Sequence, residues 1–173
     1  MREGFVSPCV VKGILRGTRA AVRARMLARE TMTRRVYVAP PELSLADGWA
    51  ILERHRIRHL PVVSAGVLLG IVSDRDLLLR ATPDGRGGLR FDDAHLAEAM
   101  TPAPITCSPS TSVSEIARVL TERKIDAVPV VDDLERMVGL VTSTDLMLLL
   151  IGREEARDPI PFRFELVETQ LAA

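Results

Sequence analysis

A hydroxyl followed three residues later by a carboxylate occurs twice in this chain, each time in the same setting. Gly70-Ile-Val-Ser-Asp-Arg-Asp76 and Gly139-Leu-Val-Thr-Ser-Thr-Asp145 share a glycine, two apolar residues, a hydroxyl and a closing aspartate, 69 residues apart. Such a pair can do definite chemistry. A carboxylate can accept a hydrogen bond from each of the two adjacent hydroxyls of a ribose, the role open to Asp76 and Asp145. Ser73 and Thr142 stand where a helix begins, and free backbone N–H groups there favour a phosphate. The same spacing also writes a helix cap, in which the hydroxyl and the carboxylate satisfy the first turn. The two readings are compatible.

The elements that must position these corners repeat as well. Met32-Thr33 opens a unit in which Val36 to Val38 reads as a strand stopped by Pro40-Pro41. Ser44-Leu-Ala-Asp47 caps a helix running to about His55, with Leu45, Trp49 and Leu52 as its inner face. Ile57 to Val63 and Val67 to Val72 form a hairpin around Ser64-Ala65-Gly66, and a closing helix runs from Asp74 to about Arg80. Thr82 to Arg90, with Pro83, Gly85, Gly87 and Gly88, reads as a linker without regular structure. The order then restarts at Met100-Thr101. A strand is expected at Ile105 to Cys107, a full capping box at Ser112 to Glu115, a helical face of Val113, Ile116, Ala117 and Leu120, and a strand at Ile125 to Val131. The organisation is an extension at 1–26, repeats at 27–80 and 95–150, a linker at 81–94 and a tail at 151–173. From Thr18 to Glu30 the Arg- and Ala-rich stretch reads as a helix, and Phe162 to Val167 as a strand without an assigned place. The fold class is α/β (α+β), two β-α-β-β-α repeats. One repeat alone is too small to bury its sheet face, so the two should pack sheet to sheet about a pseudo-twofold axis.

Bulk properties narrow the function. Hydrophobic residues make up 47% of the 173 and aromatics 3%, so the core must be built from aliphatic side chains. The formal net charge is zero, which argues against a partner held by overall charge. Residues 1–35 nevertheless carry nine basic and two acidic side chains, a net of +7. Nucleic-acid binding through that segment is therefore an alternative reading, weakened by its lack of interleaved aromatics. Cys9 and Cys107 form neither a disulfide framework nor a paired metal-ligand spacing. No apolar run approaches the roughly 18 residues of a membrane span, and no secretory signal is read, so the cytoplasm is expected. His55 and His59 are separated by a helix-to-strand change, which excludes a helical metal pair, and no metal is expected. No nucleophile-and-base constellation or Walker-type loop appears, so the chain reads as not an enzyme.

Met-Thr, a strand, Ser-x-x-Asp/Glu opening a helix, a hairpin with an internal proline, and the glycine-to-aspartate corner, all present twice between about 27 and 150, resemble a tandem pair of cystathionine β-synthase (CBS) domains. The resemblance implies a stand-alone regulatory module that binds AMP, ADP, ATP or S-adenosylmethionine between the repeats. It also implies a homodimer and an unidentified protein target that reads a change in shape. Adenine is expected near Val38, Ile57, Ile105 and Ile125. Arg58-His59 is expected at the ligand phosphates, since a guanidinium forks onto phosphate oxygens. The matching positions in the second repeat are Asp126 and Ala127, and a carboxylate there would repel phosphate. Arg75 can add a cation where Thr144 can only hydrogen-bond. The site with Ser73 and Asp76 is therefore expected to be the stronger. A dimerisation module with inactive ligand sites is the remaining alternative.

Overall fold

The computed structural model describes residues 25–155 and 165–168. The basic extension therefore lies almost wholly outside the described residues, as does most of the tail. The first repeat comprises α1 (Ala28–Thr31), β1 (Arg35–Val38), α2 (Leu45–His55), β2 (His59–Ser64), β3 (Val67–Ser73) and α3 (Asp74–Leu78). A short hairpin of β4 (Thr82–Pro83) and β5 (Leu89–Arg90) follows. The second repeat comprises α4 (Leu96–Ala99), β6 (Thr101–Pro102), α5 (Val113–Arg123), β7 (Ala127–Val131), β8 (Met137–Thr142) and α6 (Ser143–Glu155). A last strand, β9 (Glu165–Glu168), lies parallel to β1 and gives the tail strand its place.

Local chemistry sets these boundaries. Ser44 caps α2, accepting from the Asp47 amide at 3.1 Å, and Ser112 caps α5, accepting from the Glu115 amide at 3.3 Å. The return bond from the Glu115 side chain, which a full capping box would have, is absent among the described hydrogen bonds. Both helices end on a left-handed residue, Arg56 at φ 52° and Lys124 at φ 54°. That turn delays the following strands, which begin at His59 and Ala127 and not at Ile57 and Ile125. The strand expected at Ile105 to Cys107 reduces to a bridge between Cys107 and Val130. Pro102 and Pro104 offer no amide there, and Ala103 between them turns at φ 45°. The linker, in contrast, is ordered into β4 and β5, because Asp84 Oδ1 accepts from the Arg86 and Gly88 amides and closes a turn. Trp49 is only half-buried against Phe91, and the inner face of α2 is Leu45, Gly48, Ile51 and Leu52.

The two repeats exchange their leading segments. α1 packs into the core of the second repeat, where Ala28 and Met32 join Ile116, Leu120, Val128, Val130 and Val141. α4 packs into the first, where Ala94 and Leu96 join Leu45, Ile51, Leu52, Leu60, Val72 and Leu77. Sheet bonding repeats the exchange. β6 pairs with β3, and Thr33 bridges Leu140 within β8. The hairpins β2–β3 and β7–β8 carry their bulges at equivalent places, Val62/Val63 and Val130/Val131. Between the two sheets lies a third cluster, made of Val36, Val38, Val63, Ala127, Met137 and Leu140.

Side-chain size is balanced across the exchange. A Cβ on Gly48 would lie 2.7 Å from Leu96 Cδ2, so α2 admits the large leucine only because it has a glycine there. At the equivalent places, 68 residues away in each direction, Ile116 stands for Gly48 and Ala28 for Leu96, and both are buried. Large against small in one half becomes small against large in the other. Gly48→Ala should therefore destabilise the protein by about 1–3 kcal/mol through overpacking. Urea unfolding of Gly48→Ala, Leu96→Ala and the double variant should show a double loss smaller than the sum of the single losses. Additive losses would contradict the packing account.

Candidate functional site

Each corner is built by the same three bonds. Ser73 ends β3 in extended conformation, and its amide and Oγ both donate to Asp76 Oδ2, at 2.7 and 2.6 Å. Its Oγ accepts from the Asp76 amide at 3.3 Å. Thr142 and Asp145 repeat this at 2.7, 2.7 and 3.3 Å. The capping chemistry is thus realised at both corners. The second carboxylate oxygens differ. Asp145 Oδ1 accepts from Thr33 Oγ1 at 3.2 Å, whereas Asp76 Oδ1 accepts no described hydrogen bond.

A cleft opens beside each corner, and its opposite wall comes from the other repeat. The first, about 420 Å³, holds Ser73, Asp74, Arg75 and Asp76 on one side, with Thr101 and 103–105 at its edge and 124–127 opposite. The second, about 280 Å³, holds Thr142 and Thr144 on one side, with Thr33 and 35–37 at its edge and 56–59 opposite. Crossing of the leading segments causes this arrangement, because β6 and the Thr33 bridge carry each edge onto the other repeat's sheet.

Ser73, Asp76, Arg75, Ile105 and Ile125 line the first cleft, and Thr142, Thr144 and Ile57 the second. Arg58 and His59 line both. Asp145 stands behind Thr142 and is not part of the second lining. Val38 is buried between the sheets, 4% exposed, and touches neither cleft, because it points into the third core cluster. Asp126, read with the second corner, lies opposite Ser73 in the first cleft. The reason is again the exchange: a corner faces the strand of the other repeat. Asp126 sits 3.8 Å from Arg75, a pair too exposed to contribute much stability. Sequence reasoning missed Thr33 and Thr101 of the two Met-Thr pairs, and Arg56 and Lys124 at the helix ends. Their signal was present: each pair has one type of side chain at equivalent positions, 68 apart.

His59 is the titrating group of the shared wall. Burial, followed by the nearby Arg58 charge, holds its pKa below 6.5, against opposing pulls from Asp126, Asp74 and Asp76. His55 instead stacks on Tyr37 with ring centroids 3.8 Å apart. Cys107 is far from a reactive state, since burial and, less strongly, Glu115 push its thiol up to about 12. No group of three or more metal-ligating side chains occurs among the described residues. None of the described helices is long and apolar enough to cross a membrane.

The family model described as "CBS domain" matches residues 28–81 and 96–152. The chain is 29% identical over 128 residues to the CBS domain-containing protein YhcV of Bacillus subtilis, covering 74% of this chain and 88% of that one. Some curated relatives are longer. The match spans 24% of L-aspartate semialdehyde sulfurtransferase from Methanocaldococcus jannaschii, at 31% identity and 74% of this chain. Among solved structures, the CBS domain pair of protein MJ0100 in complex with 5-methylthioadenosine and S-adenosyl-L-methionine superposes with a TM-score of 0.64 at 30% identity. That likeness covers 75% of this chain and 98% of the other. CBSX2 from Arabidopsis thaliana in complex with AMP gives 0.65 at 27% identity, over 75% and 98%. Both halves of the sequence, the mixed helix-and-strand fold and the paired clefts agree, and the chain belongs to the CBS domain family as a tandem pair of repeats.

Proposed function

We propose that this chain is a regulatory sensor of adenosyl ligands, binding AMP, ADP, ATP or S-adenosylmethionine in its inter-repeat clefts and passing a change of shape to a protein target. The observation that carries the reading is the first corner: the capped Asp76 carboxylate lines a cleft whose opposite wall comes from the other repeat. At the first corner one oxygen of Asp76 holds the cap and the other is available to a ribose. Ile105 and Ile125 offer an apolar slot of the kind adenine fills. Arg58 and His59 supply donors for phosphate. Complexes of MJ0100 and CBSX2 with adenosyl ligands support the choice of ligand class. A ligand touching both walls favours one inter-repeat angle over another, which is what a switch requires. The proposed role is regulatory and not catalytic, and the proposed compartment is the cytoplasm.

A homodimer is part of the proposal. Leu78, Leu79, Met147 and Leu148 are exposed apolar residues at equivalent positions of the two repeats, 69 apart, and Leu150 and Ile151 extend the second set. Exposed apolar side chains at matched positions of both repeats suit an interface. Light scattering should give a dimer for the full chain and a monomer for Leu79→Glu/Leu148→Glu. A dimeric double variant would contradict that assignment.

Ligand binding is read from thermal unfolding. A ligand in hundredfold excess over its Kd adds about 2.7 kcal/mol, which for a protein of this size is roughly 5–10 °C in Tm. At least one of AMP, ADP, ATP and S-adenosylmethionine should produce such a rise, and Asp76→Ala/Asp145→Ala should abolish it. Each lost cap costs about 1 kcal/mol by itself, so the comparison is the ligand-induced rise and not the absolute Tm. An undiminished rise in the double variant would reject the assigned corners.

His59 gives a pH signature. Its folded pKa lies below the unfolded 6.5, so the unfolded chain takes up the proton first and its contribution to stability is lost as the pH falls below that value. A bound phosphate beside the ring favours the imidazolium, so affinity for a phosphorylated ligand should rise between pH 7.5 and 5.5. His59→Gln should flatten both trends in unfolding and titration experiments. A slope unchanged in that variant would remove His59 from the site.

A further inference from the structure

The two clefts are related by the repeat, so their walls can be compared position by position. At three equivalent wall positions the second cleft carries Arg35, Arg56 and Arg58, where the first carries Ala103, Lys124 and Asp126. The corners differ in the same direction. The first presents Asp74, Arg75 and Asp76, and the second Ser143, Thr144 and Asp145. In the first cleft Arg58, Arg75 and Lys124 meet Asp74, Asp76 and Asp126, three cations against three carboxylates. Among the described residues no carboxylate lines the second cleft. Asp145 stands behind Thr142 with its oxygens already holding Thr142 and Thr33. Arg35 already has a partner, which leaves Arg56 and Arg58 as the cations of this wall. Neither forms a described ion pair, and both are exposed at the mouth of the cleft.

We infer that the clefts divide adenosyl ligands by charge: the arginine-walled cleft beside Thr142 takes those with a polyphosphate, and the cleft beside Ser73 takes those without phosphate. The inference rests on the sensor reading above and goes beyond it in assigning a ligand class to each cleft. Its physical basis is direct. A nucleoside triphosphate brings several negative charges, which two guanidinium groups can fork without displacing an ion partner. In the first cleft the same charges would face Asp74 and Asp126. A sulfonium or neutral thioether in place of the phosphates removes that repulsion, and it suits a cleft whose cations and carboxylates already balance. The allocation reverses the order expected from sequence, which gave Arg58 to the Ser73 corner alone and Asp126 to the other.

Arg56 and Lys124 provide a matched test, since both occupy the same left-handed helix-end position, at φ 52° and 54°. Arg56→Gln and Lys124→Gln therefore carry equal backbone consequences. The full chain and both variants are titrated calorimetrically with ATP, S-adenosylmethionine and, as a probe without adenine, inorganic tripolyphosphate, at fixed salt. Arg56→Gln should weaken ATP and tripolyphosphate about tenfold and leave S-adenosylmethionine within about twofold. Lys124→Gln should leave ATP within about twofold. ATP binding that is indifferent to Arg56, or that falls equally in both variants, overturns the division while the sensor reading stands. Binding of none of the adenosyl compounds to the unaltered chain removes the sensor reading and the division together, whatever tripolyphosphate does.

Discussion

Everything in this protein depends on the close docking of each repeat's leading segment against the other repeat's sheet. Met32 presses on Gly139 and Met100 on Gly70, so closely that a Cβ on either glycine would collide with the methionine side chain. The backbone comes near too: Thr101 O would lie 2.9 Å from a Cβ on Gly70, and Thr33 O 3.2 Å from one on Gly139. The Met-Thr pair and the glycine of the corner, separate features of the sequence, are thus two sides of one contact. Because the contact crosses between repeats, neither repeat has a complete core alone. The buried Leu96 belongs by sequence to the second repeat and by packing to the first. Burial of such a leucine is worth roughly 1.5–3 kcal/mol, all of it dependent on the partner repeat.

The same crossing creates the clefts. A sheet edge occupied by the other repeat's segment leaves a gap between that segment and the corner helix, walled by residues from both repeats. The corner's cap chemistry then acquires a second use. Bonds from Ser73 or Thr142 hold the aspartate in place, so a ligand bound there would meet a carboxylate already oriented and would not have to order it. In the proposed function, cap and ligand-binding roles share the same residues, with the two oxygens of one carboxylate divided between them at Asp76. At Asp145 the second oxygen is lent to Thr33, which a ribose would have to share or displace.

Periodicity and motif spacing made the repeat unit, its helices, its hairpins and the two corners legible, because each is decided by residues close in sequence. The exceptions have local causes that outweigh the apolar pattern. Prolines flanking the left-handed Ala103 dissolve the strand at Ile105, and an aspartate-closed turn orders the glycine-rich linker. What stayed illegible is which wall faces which corner. That is fixed by the crossing of the leading segments, a long-range event without a local signature. Hence Asp126 faces the Ser73 corner although its sequence position pairs it with the other, Val38 packs between the sheets and not against a cleft, and Arg58 is common to both clefts. The compensation of Gly48 and Leu96 by Ile116 and Ala28 is visible in the sequence only once the offset and the packing are both known.

The most direct test of the account is a methyl NMR spectrum of the isoleucine-labelled protein, recorded with and without S-adenosylmethionine and ATP. Ile71, Ile105 and Ile125 report on the first cleft, Ile57 on the second, and the buried Ile51 and Ile116 on the cores away from both. The account predicts saturable shifts at cleft isoleucines, with Ile51 and Ile116 nearly unmoved. Shifts absent from all four cleft positions, or confined to residues outside both clefts, would contradict the claim that this pair of repeats holds its ligand between them.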